Sequence, residues 1–177
     1  MVLAVVVLLS LPWLLIYVGL LFEANPPKPE IEHGEFPFRL IYEINGGTRV
    51  IEDTLICEYD GVGMDEGQGK YRKWKGHLKS GNEEVILLKV KDPVALGIDY
   101  KVVEQEINIQ IGSPRYYMGD LKDYEKYDNS SPSAIYYEKY INDSSSHGLL
   151  NSEELYQKFN IKLISWTPSE PLVNNFQ

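Results

Sequence analysis

The amino-acid sequence predicts a mainly β fold, an antiparallel sandwich or partly open barrel, with one short C-terminal helix and an N-terminal transmembrane helix. Three observations lead to this prediction. Over residues 36–44, apolar and polar residues alternate with the period of two that is typical of a half-buried strand. Asn45, Gly46 and Gly47 then supply the residues that a tight hairpin turn needs. Residues 1–22 are apolar and contain no charged side chain.

The chain is predicted to have three parts: a transmembrane anchor at 1–22, a Pro-rich spacer at 23–34 and a β-rich domain at 35–177. A helix over 2–22 is long enough to cross a hydrocarbon core of about 30 Å. The competing interpretation is a cleaved signal peptide. No Lys or Arg precedes the apolar run, and Phe22 occupies a position where a cleavage site requires a small residue. These features favour an uncleaved, single-pass anchor.

Few charges indicate which way the anchor is oriented. The segment after the anchor lacks the cluster of Lys and Arg that normally keeps a flank in the cytoplasm. We therefore expect the protein in the cell membrane with the domain outside the cytoplasm. Pro26, Pro27 and Pro29 make the segment between anchor and domain a short, stiff spacer.

Composition excludes several classes of protein. The 177 residues include 26 Asp and Glu against 17 Lys and Arg, for a net charge of −9. This acidic balance excludes a nucleic-acid binder that depends on global charge. The part after the anchor is rich in Ile, Val, Leu and Tyr, so it can build a core of modest size and is not disordered throughout. Cys57 is the only cysteine, which forbids an internal disulfide.

The remaining elements follow from the same signals of period and turn chemistry. Alternation predicts strands at 49–59 and 103–111. Further strands are predicted at the basic segment 70–79, at the short apolar run 85–90 and at 161–166, whereas four glycines predict a loop at 60–69. A helix is predicted at 151–159, because Asn151 can cap it and Glu154 can complete a capping box. The stretch 113–147 has little periodicity, so we expect long loops there with a helical turn at 135–140.

One twelve-residue segment, 143–154, has the spacing of a calcium loop. Asp143, Ser145 and Asn151 occupy oxygen-ligand positions, and Glu154 stands at the bidentate position. His147 departs from the pattern, because an oxygen donor belongs at its position. The alternative is a Ser-rich loop that leads into a capped helix, since capping alone accounts for Asn151 and Glu154. Calcium is the one cofactor that the sequence suggests.

A cluster of tyrosines is the first candidate binding surface. Their rings have a flat apolar face and a polar tip, which suits stacking on sugars or docking of a partner protein. Nearby acids at 120–128 could accept hydrogen bonds from hydroxyl groups. The alternative is that the rings cover the sheet as amphipathic lids. The cluster comprises Tyr116, Tyr117, Tyr124, Tyr127, Tyr136, Tyr137 and Tyr140.

A basic segment at 70–79 is the second candidate surface and the only positive region of the chain. Lys73, Trp74 and Lys75 form its centre, where cations are interleaved with an aromatic side chain. For a domain outside the membrane, anionic cell-wall polymer or lipid headgroups are the natural partners of such a patch. The alternative is a solvated strand face.

Several other chemistries are excluded by spacing. The segment 63–70 lacks both the first glycine and the Ser or Thr of a phosphate-binding loop. The three histidines are far apart and have no paired ligand motif, which argues against zinc. No nucleophile elbow occurs, and Cys57 lies within a strand pattern with no sign of an activating environment.

Four stretches resemble parts of small membrane-anchored or exported proteins of low-GC Gram-positive bacteria. They are EFPFRL at 35–40, IEDTLICE at 51–58, GKYRKWK at 69–75 and NIKLISW at 160–166. The resemblance extends over most of the domain. That group is uncharacterised, so the resemblance implies a location but neither an activity nor any functional residue.

Three functions are compatible with this organisation. The first is a non-enzymatic binding or interaction module at the cell surface, which would bind cell-wall polymer, glycan or another surface protein. The second is a surface hydrolase of glycan or wall polymer that uses the acids of 120–128. The third is a structural subunit of a membrane complex. A hydrolase requires a pocket in which two carboxylates converge, whereas a binding module needs only an open face.

Overall fold

The computed structural model describes residues 2–91, 101–122 and 125–176, with side chains from residue 11 onward. These residues form three helices and eight strands. The helices are α1 (Val2–Phe22), α2 (Pro114–Tyr117) and α3 (Ser152–Phe159). The strands are β1 (His33–Ile44), β2 (Gly47–Asp65), β3 (Gly69–Leu78), β4 (Val85–Lys91), β5 (Val102–Gln110), β6 (Ser133–Tyr140), β7 (Ser145–Leu150) and β8 (Ile161–Thr167).

The strands form two four-stranded antiparallel sheets, which confirms the mainly β prediction. The first sheet has the order β3-β2-β1-β8 and the second has the order β4-β5-β6-β7. Within each sheet, strands that follow one another in the chain pair antiparallel, and β8 returns after α3 to pair with β1. The predicted hairpin at Asn45 is present, and Asn45 and Gly46 both have positive φ there.

One hydrophobic core lies between the two sheets. The alternating side chains of β1 point into it, so that Phe36, Phe38, Leu40 and Tyr42 are all buried. They pack with inward residues of the second sheet such as Ile107 and Ile109. The Tyr42 hydroxyl also donates a hydrogen bond of 3.3 Å to the Leu87 carbonyl oxygen, which joins the two sheets. The domain is therefore a sandwich of two sheets.

The loop predicted at 60–69 is mostly strand. β2 continues to Asp65 and pairs with β3, with an irregular register between Tyr59 and Val62. The glycines permit close packing here, because the Tyr71 ring lies directly over Gly63, where any side chain would clash.

The prediction of long loops over 113–147 is also wrong, because this stretch contains β6 and the start of β7 and has no helical turn at 135–140. β6 occupies this position, and its inward residues are Ala134, Tyr136, Glu138 and Tyr140. Because Glu138 is one of these inward residues, the sequence of β6 does not show the usual alternation of apolar and polar residues. The helix α3 forms as predicted, with Asn151 as its cap and Glu154 completing the capping box.

The segment 23–34 is not a free spacer, because its second half is bound to the end of the described chain. Glu30 donates a backbone hydrogen bond of 2.8 Å to the Asn175 carbonyl oxygen. The Asn174 side chain bonds both the N–H and the carbonyl oxygen of Ile31, at 3.0 and 2.8 Å. Pro29 and Phe176 form an isolated bridge. The ordered domain therefore begins before residue 35.

The predicted N-terminal helix is present as α1, over 21 residues. Among the residues whose side chains the structure describes, 11–91, 101–122 and 125–176, no helix combines the length and the apolar character that a membrane crossing requires.

Candidate functional site

The tyrosines that the sequence groups together are divided among different parts of the fold. Tyr116, Tyr117 and Tyr127 pack on one another, with ring centroids 5.1 and 4.5 Å apart, and Tyr117 lies against Phe36 at 4.9 Å. Tyr117 is fully buried and donates a hydrogen bond of 3.0 Å to the Ile111 carbonyl oxygen. Burial raises the pKa of Tyr117 to about 12. This group covers the core, as the lid alternative predicts.

The other tyrosines of the cluster lie on β6 and alternate between its two faces. Tyr136 points inward and packs under Gly148, and Tyr140 is buried with a hydrogen bond of 2.9 Å to Glu138. Tyr137 points outward and remains 37% exposed. Tyr124 lies outside the described residues. Of the six tyrosines predicted to bind a ligand, Tyr137 and the rim residue Tyr127 are therefore the exposed ones in the described part of the chain.

The basic segment forms β3, as predicted, but several of its charges are already paired. Lys73 contacts Asp60 at 2.8 Å, and Lys79 contacts Glu35 at 2.7 Å. Trp74 donates its indole N–H to Asp120 at 2.8 Å and packs edge-on against Tyr59. Lys75 lies opposite Glu58 in the register of β2 and β3. These pairings reduce the positive charge that an anionic polymer would meet.

Asp120 is the centre of a buried polar cluster that we call the Asp120 clamp. It is 4% exposed and accepts hydrogen bonds from Nε and Nη2 of Arg72 as well as from Trp74. Arg72 also donates to the Pro27 carbonyl oxygen at 3.2 Å and lies 4.0 Å above the Phe176 ring. The clamp therefore joins β3, the segment after α2, the spacer and the end of the described chain.

The acids of 120–128 are similarly committed to structure. Asp120 is held in the clamp. Glu125 pairs with Arg115 at 3.0 Å, and its backbone hydrogen bond from Lys122 is the main reason that its pKa is lowered. Asp128 accepts a hydrogen bond of 2.9 Å from the Ser130 N–H. Asp123 lies outside the described residues. The carboxylates described in this segment do not converge on a pocket as a hydrolase would require.

The four predicted calcium ligands do not come together. Asp143 and Ser145 lie at the turn between β6 and β7, whereas Asn151 and Glu154 lie beyond the far end of β7. A six-residue strand is about 20 Å long, so this segment cannot wrap one ion. Asn151 and Glu154 bond each other's backbone in the capping box instead. Among the described residues, no group of three or more His, Cys, Asp or Glu side chains is placed so that it could hold a metal.

Cys57 is inert in the folded protein, which agrees with the absence of an activating motif. It is fully buried in the core. Burial raises the pKa of its thiol to about 12, so almost no reactive thiolate is present at neutral pH.

The outer face of the second sheet has a polar and aromatic row across all four strands, which we call the central row. In register, Lys89 pairs with Glu106, Glu106 with Tyr137, and Tyr137 with His147. The rings of Tyr137 and His147 stack with centroids 5.9 Å apart. Lys89 bonds Glu106 at 2.8 Å and Glu104 at 3.1 Å, and the bond to Glu106 is the main reason that the pKa of Lys89 is raised.

Beside the central row lies a shallow cavity of about 310 Å³. Its lining includes Tyr137, Glu104, Glu106 and Lys139. A flat ring, four carboxylates and an ammonium group thus line one open depression, because Glu138 and Asp143 also contribute to it. This set can stack on a ring and bond several hydroxyl groups at the same time.

A cavity of about 550 Å³ opens where the two sheets separate between β3 and β4, and we call it the corner cleft. Its charged lining comprises the acids Asp53, Glu83, Glu84 and Glu106 and a single cation, Lys89. An adjoining cavity of about 190 Å³ shares Glu83 and Glu84 and reaches Asn108.

The sequence did not single out the corner cleft. Alternation places Glu106 and Asn108 on the polar face of β5, and this is where they lie. No local pattern shows that the segment before β4 folds over that face and buries Asn108. Only the tertiary path of residues 79–84 creates the cleft.

Comparison of the chain with protein-family models, with curated proteins and with solved structures found no match. The site's chemistry alone must therefore support a function.

Proposed function

We propose that this chain is a single-pass, membrane-anchored protein whose extracytoplasmic domain is a non-enzymatic binding module for glycan or cell-wall polymer. The observation that carries the proposal is the central row, in which exposed Tyr137 stacks on His147 beside Glu106 and Lys89.

The chemistry of the central row suits a hydroxyl-rich ligand. The apolar face of a sugar ring can stack on Tyr137, and aromatic side chains with one exposed face favour such contacts. Glu104 and Glu106 accept hydrogen bonds from hydroxyl groups, and Lys139 donates them. An open face of this kind binds a long polymer without enclosing it. This suits a binding module, whereas a hydrolase requires a pocket.

Membrane anchoring is supported by the surface of α1. Its sequence is apolar on every side over 21 residues. In the part with described side chains, large apolar residues such as Trp13, Leu15 and Phe22 are exposed and do not pack on the domain. A helix that is apolar all round needs an apolar surrounding, and lipid would supply it.

The orientation is tested by labelling a cysteine introduced as Glu66→Cys in the exposed turn between β2 and β3. On intact cells, a membrane-impermeant thiol reagent should label this variant. The parent chain is a matched control because Cys57 is buried and should stay unlabelled. Labelling of the variant only after lysis would contradict an extracytoplasmic domain.

The binding function is tested by retention of the full chain, in detergent, on insoluble cell-wall polysaccharide. Tyr137→Ala should lower affinity about tenfold, because it removes one aromatic stacking contact. Tyr156→Ala is the matched control, since Tyr156 is 55% exposed on α3. Equal retention of both variants would refute binding at the central row. If the parent chain is not retained on any glycan tested, the binding proposal fails as a whole.

A further inference from the structure

The corner cleft has a strong excess of negative charge. Four carboxylates line it against one lysine, and that lysine is already bonded to Glu104 and Glu106. Burial, followed by the charges of Glu106 and Glu83, raises the pKa of Glu84. A cation in the cleft would relieve this repulsion.

A buried side-chain oxygen marks one end of the site independently of the acids. Asn108 is 4% exposed, and its Nδ2 donates to carboxylate oxygens of Glu84 and Glu106. Its Oδ1 has no hydrogen-bond partner among the described residues. Unpartnered buried acceptors are rare, because burial removes water without replacing its hydrogen bond. The missing partner must be a donor, and Asn108 lines the cavity next to the acids.

A ligand that fits these groups must bring both a positive charge and N–H donors. A metal ion brings only charge, and the described residues contain no group of three metal-ligating side chains of the His, Cys, Asp and Glu type. A protonated primary amine brings three donors on one cation. It can bond Oδ1 of Asn108 and the carboxylates of Glu84 and Glu106 together.

We infer that the primary ammonium group of a small ligand or polymer binds where the corner cleft meets the adjoining cavity, between Glu84, Glu106 and Asn108. The cleft volume of about 550 Å³ accommodates a ligand of small-molecule size around that group. The site shares Glu106 with the central row, but it does not depend on glycan binding there.

The test compares butylammonium with butanol, which has the same chain without the charge, by ligand-observed NMR on the full chain in detergent. Butylammonium should bind at millimolar concentration, and butanol should bind at least about tenfold more weakly. Glu84→Gln should weaken butylammonium binding about tenfold. Glu66→Gln is the matched control, because Glu66 is an exposed acid in the turn between β2 and β3, and it should change nothing.

A second variant guards against misfolding of the first. Glu83 is exposed at the mouth of the cleft, and Glu83→Gln should weaken butylammonium binding about twofold through loss of one screened charge. Equal binding of butylammonium and butanol, no binding, or unchanged binding by folded Glu84→Gln would overturn the inference. Binding of Ca²⁺ alone, with none of butylammonium, would also overturn it. Both variants leave Tyr137 and His147 in place, so this inference and the proposed function fail separately.

Discussion

Substituting Asp120→Asn should destabilise the domain strongly. Asp120 is 4% exposed and accepts hydrogen bonds from two Arg72 nitrogens and from Trp74. Asparagine keeps the shape of the side chain but removes its charge. Its NH₂ group replaces one of the two accepting oxygens, so at least one of the N–H groups of Arg72 and Trp74 loses its hydrogen-bond acceptor.

The size of the effect follows from the burial of the pair. Removing one partner of a buried ion pair costs about 3–5 kcal/mol. Arg72 is 18% exposed and keeps its contacts with Pro27 and Phe176, which places the loss near the lower end, at about 3 kcal/mol. For a domain of this size, that loss lowers Tm by about 10 °C.

The assay is thermal unfolding of the full chain in detergent, followed by near-ultraviolet circular dichroism. Asp60→Asn is the matched control, because it breaks the exposed pair with Lys73 and should change Tm little or not at all. Adding Arg72→Met to Asp120→Asn should recover part of the loss, since the unpaired cation is then gone. A loss below about 1 kcal/mol for Asp120→Asn would refute the role given to the clamp.

Three further predictions concern single side chains. Because the pKa of Glu84 is raised, the folded state binds more protons than the unfolded state, and this contribution to stability is lost as pH rises through the raised pKa. Glu84→Gln should therefore raise Tm at neutral pH and have less effect near about pH 4, and thermal scans that show no such difference would contradict this. Asn151→Ala should cost about 1 kcal/mol, measured by the same scans, because α3 loses its cap. Cys57 should react with a thiol reagent only after unfolding by urea, and rapid reaction in the native state would show that it is not buried.

The parts of the fold that the sequence predicts well are those where local and tertiary signals agree. In β1, alternation and burial coincide at Phe36, Phe38 and Leu40, and in α3 the capping box determines where the helix begins. β6 was missed because Glu138 and Tyr140 face the interior, where an apolar residue is expected. The register of β6 comes from pairing with β5, which no local pattern reveals.

The proposed binding surface was predictable only in part. Tyr137 belonged to the predicted tyrosine cluster, but proximity in sequence hid the alternation that sends Tyr136 inward and Tyr137 outward. The partner of Trp74 is Asp120, which is 46 residues away. The acids of the corner cleft come from β2, β5 and the segment before β4, so only the folded chain brings them together.

The docked segment 23–34 limits how the domain can move relative to α1. If residues 23–32 were a free linker of ten residues, they could extend to about 35 Å. The domain could then take many positions relative to α1. Instead, Lys70 bonds the Leu21 and Glu23 carbonyl oxygens at 3.4 and 2.6 Å, and Asn174 holds Ile31. These contacts hold the segment between α1 and the domain against the domain, so it does not extend freely. With α1 in a bilayer, the domain would stay at a fixed distance from the membrane and in a fixed orientation. The central row would then face the same direction in every molecule.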